Sequence, residues 1–142
     1  MSLTNITPKL NAEFSAPFVK EIFDAVNDDN FVIGYHNCGD AIGDMTAEIK
    51  TYGADIYHFG NAVPLTKMLP EMPKDSLVMG NIDPVLFTTS TPQKIKESVK
   101  ALCEDCKAYE NFMISSGCDI PATAKWENID ACFEMVKEIY SE

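Results

Sequence analysis

Short apolar runs alternate along this chain with stretches in which apolar residues return every three or four positions. Phe31-Val32-Ile33-Gly34-Tyr35-His36, Asp55-Ile56-Tyr57-His58-Phe59, Leu77-Val78-Met79-Gly80 and Phe112-Met113-Ile114-Ser115 are brief runs bounded by turn residues, as expected of parallel strands covered on both faces. Helical spacing fills the gaps between them. Phe18, Ile22 and Val26, with Val19 and Phe23, predict one face of a helix from Pro17 to Asn27. Ile95, Val99, Leu102, Cys103 and Cys106 share a second face; Ile129, Phe133, Val136 and Tyr140 share a third, with Cys132 and Ile139 beside them. Thr91-Pro92 is an N-cap followed by proline at the first helical position, and Ser15-Ala16-Pro17 offers a similar opening. Gly53 marks a helix end before the second strand. Gly43 weakens the helix expected between Ala41 and Tyr52, and a short helical turn is expected from Leu65 to Leu69.

The order is a leading helix and then strand-helix four times, which predicts α/β architecture with parallel strands and right-handed crossovers. No internal sequence repeat or low-complexity segment breaks the 142 residues, so residues 1–142 read as a single domain. Apolar residues at 46% and charged residues at 23% are the balance of a soluble globular chain. No run approaches the roughly 20 apolar residues of a spanning helix, so no membrane role is expected. Eleven basic against 22 acidic side chains leave a net charge of −11, which repels phosphate backbones and argues against nucleic acid as a partner. The first residues lack the pattern of a secretion signal. With an odd count of 5 cysteines, a reducing cytoplasmic location with free thiols or metal ligands is the expectation.

Chemistry concentrates where strands end. The first strand runs into His36-Asn37-Cys38-Gly39-Asp40, the second into His58-Phe59-Gly60-Asn61, the third into Gly80-Asn81-Ile82-Asp83-Pro84, and the fourth into Ser115-Ser116-Gly117-Cys118-Asp119-Ile120-Pro121. In parallel α/β sheets and barrels this end forms the ligand face. The opposite loops, Asn27-Asp28-Asp29-Asn30 and Pro73-Lys74-Asp75, hold only turn residues and charges. His36 and Cys38 are two apart, a spacing that puts both on one face of a strand. Imidazole and thiolate suit zinc, and Cys118 could complete a three-ligand site with one open position. The competing reading is a core histidine with two small buried cysteines, and spacing alone leaves both open. Cys103-x2-Cys106 lies inside a helix on its apolar face, with no second pair to complete a zinc site, and reads as packing, as does Cys132. Gly34 and Gly80, inside strands, suggest tight packing or close approach of backbone to a ligand. No glycine-rich phosphate loop follows any strand, so nucleotide binding has no support.

Taken in order, Tyr35-His36-Asn37-Cys38-Gly39-Asp40, Phe59-Gly60-Asn61, Met79-Gly80-Asn81-Ile82-Asp83-Pro84, Ser115-Ser116-Gly117-Cys118-Asp119-Ile120-Pro121 and Trp126-Glu127-Asn128-Ile129 resemble the uroporphyrinogen decarboxylase superfamily. Within it, the resemblance is to the corrinoid-dependent methyltransferases related to methylcobamide:coenzyme M methyltransferase. Thr7-Pro8 and the stretch Phe14 to Ile22 are similar to the loop and helix that precede these motifs. The resemblance implies a (β/α)8 TIM barrel. Such a barrel takes roughly 250 residues, so the chain corresponds to its C-terminal half: four βα units over 31–142, preceded by a loop and leading helix over 4–30. Met1-Ser2-Leu3 read as a remnant of expression cloning.

The resemblance also implies zinc on His36, Cys38 and Cys118, holding a thiol substrate as the thiolate that attacks the methyl group of a methyl-corrinoid carried on a separate corrinoid protein. Asp40, Asn81, Asp83 and Asp119 are the candidates for orienting substrate or ligands. No further catalytic group is assigned. Two other readings stand beside this one: a non-catalytic zinc-binding fragment needing a partner, and a tetrapyrrole decarboxylase, whose chemistry in this family needs no metal. An isolated half-barrel is expected to be weak or inactive. It would also bare two strand edges and a half-core, so a homodimer rebuilding eight strands, or pairing with a separate N-terminal half, is expected.

Overall fold

A computed structural model describes residues 7–141. Met1–Leu3, read above as a cloning remnant, lie outside the described residues. Four parallel strands form one sheet in the order β1 (Gly34–Asn37), β2 (Ile56–Phe59), β3 (Leu77–Ile82) and β4 (Phe112–Ser116). Each strand pairs with the next in sequence, which is the connectivity of a barrel rather than of a doubly wound sheet. The chain is half of such a barrel. Its helices are α1 (Pro8–Phe14), α2 (Ala16–Val26), α3 (Thr46–Ile49), α4 (Leu65–Met68), α5 (Leu86–Thr89), α6 (Pro92–Cys106) and α7 (Trp126–Tyr140). Among the described residues no helix is long and apolar enough to cross a membrane.

Strand side chains alternate between two faces. Tyr57, Phe59 and Val78 are fully buried beneath the helices. One core joins them to Ile42, Met45, Ile49, Tyr52, Leu65 and Met68, with Val19 and Phe23 of α2 packed alongside. A second core gathers Ile82, Phe87, Ile95, Val99, Cys103 and Ala131 between β3, β4, α5, α6 and α7. Neither core takes Ile56, Leu77, Met79 or Met113, which lie on the other face in register with His36 and His58. That face points to what would be the barrel interior.

Several elements differ from expectation. The first strand begins at Gly34 rather than Phe31: Phe31 and Val32 are exposed, and only Ile33 is buried. The stretch 8–14, expected as loop, is helical, because Thr7-Pro8 repeats the opening seen at Thr91-Pro92 and the Thr7 hydroxyl caps the Leu10 N–H. The helix expected over Ala41–Tyr52 is a 3-10 segment, Asp40–Asp44, followed by the single turn α3. Tighter winding brings Ile42, Met45 and Ile49 all into the core. On α2, Ala16, Val19 and Phe23 reach the core, while Phe18, Ile22 and Val26 are exposed. On α7, Ile129, Cys132, Val136 and Ile139 pack against the core as expected, around buried Asn128 and Ala131, but Phe133 and Tyr140 face outward. Helix α5 was not foreseen; the Asp83 carboxylate starts its turn by accepting from Val85 N–H at 2.9 Å. Cys103 and Cys106 pack in the cores as expected, and burial pushes the Cys106 thiol up to about 11, leaving it unreactive.

The start of α7 is pinned by Asn128, whose side chain is fully buried. Its amide donates to the carbonyls of Phe87 at 2.9 Å and Ser90 at 3.1 Å, joining α7 to α5. Replacing Asn128 with alanine removes both donors within the core and is expected to cost about 1–3 kcal/mol. Urea unfolding of this variant measures the loss, and Asn128→Asp, which sets a carboxylate against two carbonyls, should lose more.

Candidate metal centre

β1 delivers His36, and the chain then turns sharply. The Asn37 side chain accepts from the Gly39 N–H at 2.9 Å and donates to the Tyr35 hydroxyl at 3.0 Å. This Asx turn ends the strand and sets Cys38 beside the C-terminal mouth of the sheet. β4 ends in the same place: Gly117 N–H donates to the Ile82 carbonyl at 2.7 Å, and Cys118 follows. The imidazole of His36 and the sulfurs of Cys38 and Cys118 come within 4.8 Å of one another, from positions up to 82 residues apart. Cys118 Sγ lies 3.7 Å from His36 Nε2. Ligand atoms around tetrahedral zinc stand about 3.5–3.8 Å apart for N/S donors. The donor set, and the spacing of His36 and Cys118, therefore fit zinc, which has no need of a fourth protein ligand if the site is to accept a substrate.

The surroundings favour the neutral imidazole and the neutral Cys38 thiol. Burial first, and the neighbouring His58 ring second, hold the His36 imidazole below its ordinary range, while the Asp119 carboxylate pulls the other way. Partial desolvation and the adjoining Cys118 push the thiol of the largely exposed Cys38 up. A bound cation would reverse that preference by displacing the thiol proton. His36 and Cys38 are exposed and Cys118 is half-buried, so the centre opens towards solvent on the uncovered sheet face.

The four accompanying candidates separate. Asp119 acts on His36 through its charge. Asn81 is committed to the loop after β2, its amide donating to the carbonyls of Gly60 at 3.0 Å and Val63 at 2.8 Å. Asp83 holds the turn into α5. Asp40 opens the 3-10 segment and is exposed.

Two residues near the centre were not singled out by spacing. His58 sits opposite His36 in register, its Nδ1 3.0 Å from His36 Nδ1 and its Nε2 2.7 Å from the Ser116 carbonyl. Parallel strands of known register would have shown the pairing, but register is a tertiary fact. Gly60 lies directly beneath Cys38: a Cβ there would stand 2.5 Å from Cys38 Cβ and 2.6 Å from Cys38 Cα. Of the two strand glycines noted from sequence, Gly80 meets its neighbour's backbone, since a Cβ would come 2.6 Å from the Phe59 carbonyl oxygen at a φ of +142. Gly34 meets nothing within 4 Å.

Comparison with known proteins places the fold. The family model for uroporphyrinogen decarboxylase (URO-D) matches residues 2–139. Among solved structures, a methyltransferase from Methanosarcina mazei shares the fold with a TM-score of 0.81 at 19% identity, over 98% of this chain and 40% of its own. The present chain therefore spans about two fifths of that relative's length. No curated protein matches the chain.

Proposed function

The chain belongs to the uroporphyrinogen decarboxylase family, and from that premise we propose that it is the zinc-holding half of a methyltransferase that passes a methyl group from a methylated corrinoid to a thiol. The observation that carries the proposal is the meeting of His36, Cys38 and Cys118 at the mouth of the sheet. A tetrapyrrole decarboxylase has no use for two cysteines and a histidine brought together from β1 and the β4 loop. His36, Cys38 and Cys118 would hold the zinc. When bound through three protein donors it supplies an open Lewis-acid position at which a thiol is kept as the more nucleophilic thiolate. Asp119, close enough to act on His36, adds negative charge beside that position. The uncovered sheet face gives a thiol direct access to the cysteines. The methylated corrinoid, on its own carrier protein, would approach from the same mouth.

Methyl transfer from methylcobalamin to a panel of thiols, with and without added zinc, tests the reading. Turnover by the chain alone is expected to be slow, because holding both reactants in one geometry is a large share of the advantage in a two-substrate transfer. Much of the surface that would hold the corrinoid belongs to the part of the barrel this chain does not span. Zinc-independent transfer would overturn the zinc reading, and turnover typical of complete enzymes, on the order of 10 per second, would overturn the expectation of slow catalysis.

The second reading, a metal-holding half that needs a partner, is favoured by the sheet itself. Among the described residues, β1 and β4 each have one unpaired edge, and Ile56, Leu77, Met79 and Met113 lie on a face that neither core covers. At roughly 25 cal/mol per Å², an uncovered barrel interior costs stability on the scale of the whole domain, about 5–15 kcal/mol. We expect a second copy, or a separate N-terminal half, to pair with both edges in parallel and close the barrel. Light scattering of the purified chain should give a dimer, and a well-folded monomer over a wide concentration range would exclude the second copy.

A further inference from the structure

We propose that His58 is a positioning residue of the metal centre: it fixes the His36 ring in the tautomer that leaves Nε2 bare and aimed at the two cysteines. This inference rests on the zinc reading above for its purpose, and on hydrogen-bond logic for its substance. A carbonyl oxygen can only accept, so at 2.7 Å from the Ser116 oxygen the His58 Nε2 must carry a hydrogen and donate it. The neutral His58 ring then has a bare Nδ1. Its partner at 3.0 Å is His36 Nδ1, which must supply the hydrogen between them. With its proton on Nδ1, neutral His36 has its lone pair on Nε2, the atom 3.7 Å from Cys118 Sγ.

The relay is closed at both ends by the fold. His36 and His58 are register partners on β1 and β2, with ring centroids 4.5 Å apart. Ser116, which anchors the far end, is the last residue of β4 and stands two positions before Cys118. One chain of hydrogen bonds therefore ties the β1 ligand to the loop that carries the β4 ligand. A histidine ligand whose other nitrogen is bound in this way is oriented before the metal arrives and keeps a defined tautomer, and such partners change metal affinity about 10–100-fold. A ring without this constraint favours the opposite tautomer, with hydrogen on Nε2, where it would obstruct the metal.

The chain has only 2 histidines, so the test is direct. Nitrogen-15 NMR of the full, metal-free chain, at a pH where both rings are neutral, should show one ring of each tautomer, with His36 protonated at Nδ1 and His58 at Nε2. His58→Leu removes the acceptor and should return His36 to the Nε2-protonated form. Its zinc affinity, measured by competition with a chromophoric chelator, should fall about 10–100-fold. His58→Asn, which places an amide oxygen where Nδ1 stood, should recover most of that loss. Two Nε2-protonated rings in the wild-type spectrum, or zinc held equally tightly by folded His58→Leu, would overturn the proposal. If His58→Leu does not fold, the wild-type spectrum decides alone. Both tautomers without zinc uptake would refute the zinc reading and support the tautomer assignment. Tight zinc with His36 protonated at Nε2 in the metal-free chain would do the reverse.

Discussion

Purified without chelator, the wild-type chain is expected to carry about one zinc per chain, and the Cys38→Ala, Cys118→Ala double variant to carry background levels only. The reasoning is one of donors. Three atoms within 4.8 Å, one imidazole nitrogen and two sulfurs, match tetrahedral zinc in type, and the His36 Nε2–Cys118 Sγ distance of 3.7 Å matches it in spacing. Removing both sulfurs leaves His36 alone, and one imidazole does not retain zinc against water and buffer. The metal is also expected to tie β1 to the β4 loop, so its removal should be visible in stability. Binding at 100 times the dissociation constant stabilises by about 2.7 kcal/mol. For a domain of this size that is about 5–10 °C in melting temperature. Chelator should lower the wild-type melting temperature by that amount and leave the double variant unmoved. Elemental analysis and calorimetry measure the two effects. Zinc far below stoichiometry in the wild type, or full retention by the double variant, would remove His36, Cys38 and Cys118 as ligands.

The second large effect is expected from a residue with no side chain. Gly60→Ala would force a methyl group to within 2.5 Å of Cys38 Cβ and 2.6 Å of Cys38 Cα. Neither Cβ nor backbone can swing aside as a long side chain would. Gly60 itself is held from both sides, its N–H donating to the Asn37 carbonyl at 3.1 Å and its carbonyl accepting from Asn81 at 3.0 Å. The clash must be relieved by moving the turn that carries Cys38. Such overpacking costs about 1–3 kcal/mol, and displacement of one ligand should weaken zinc binding at least as much as loss of a supporting hydrogen bond, about 10–100-fold. Gly34→Ala is the control. Nothing lies within 4 Å of a Cβ there, so stability and zinc affinity should stay close to wild type. Chelator competition and urea unfolding on the two variants distinguish a local effect at Cys38 from a general cost of replacing strand-end glycines.

Position along the chain carried much of this site. His36 could be placed because an apolar run ends in it, and Cys38 and Cys118 because parallel strands end on a common face; the two-residue strand repeat does not account for Cys38, which lies past β1 on the Asx turn. The four strands were legible for the same reason: each is a brief apolar run whose cause is local. Helix existence was legible too at α2, α6 and α7, through caps and apolar periodicity. Which stripe of each helix would be buried was not. Phe18, Ile22 and Val26 look as core-like as Val19 and Phe23, and Phe133 as core-like as Cys132, because periodicity reports that a helix has an apolar side, not where the sheet lies.

By itself, then, the sequence marked out the four strands, the three longer helices and the strand ends at which His36, Cys38 and Cys118 lie. Tertiary structure alone decided the partners of those donors. His58 reaches His36 only because β1 and β2 pair in one register, and a slip of one residue would send the rings to opposite faces. Gly60 supports Cys38, and Asn81 braces Gly60, through contacts between successive loops that no periodic signal encodes. Local patterns arise from the geometry of a single strand or helix and can be read from it. Register, helix rotation and loop-to-loop contact depend on the whole set of elements packing together, and are settled only when it does.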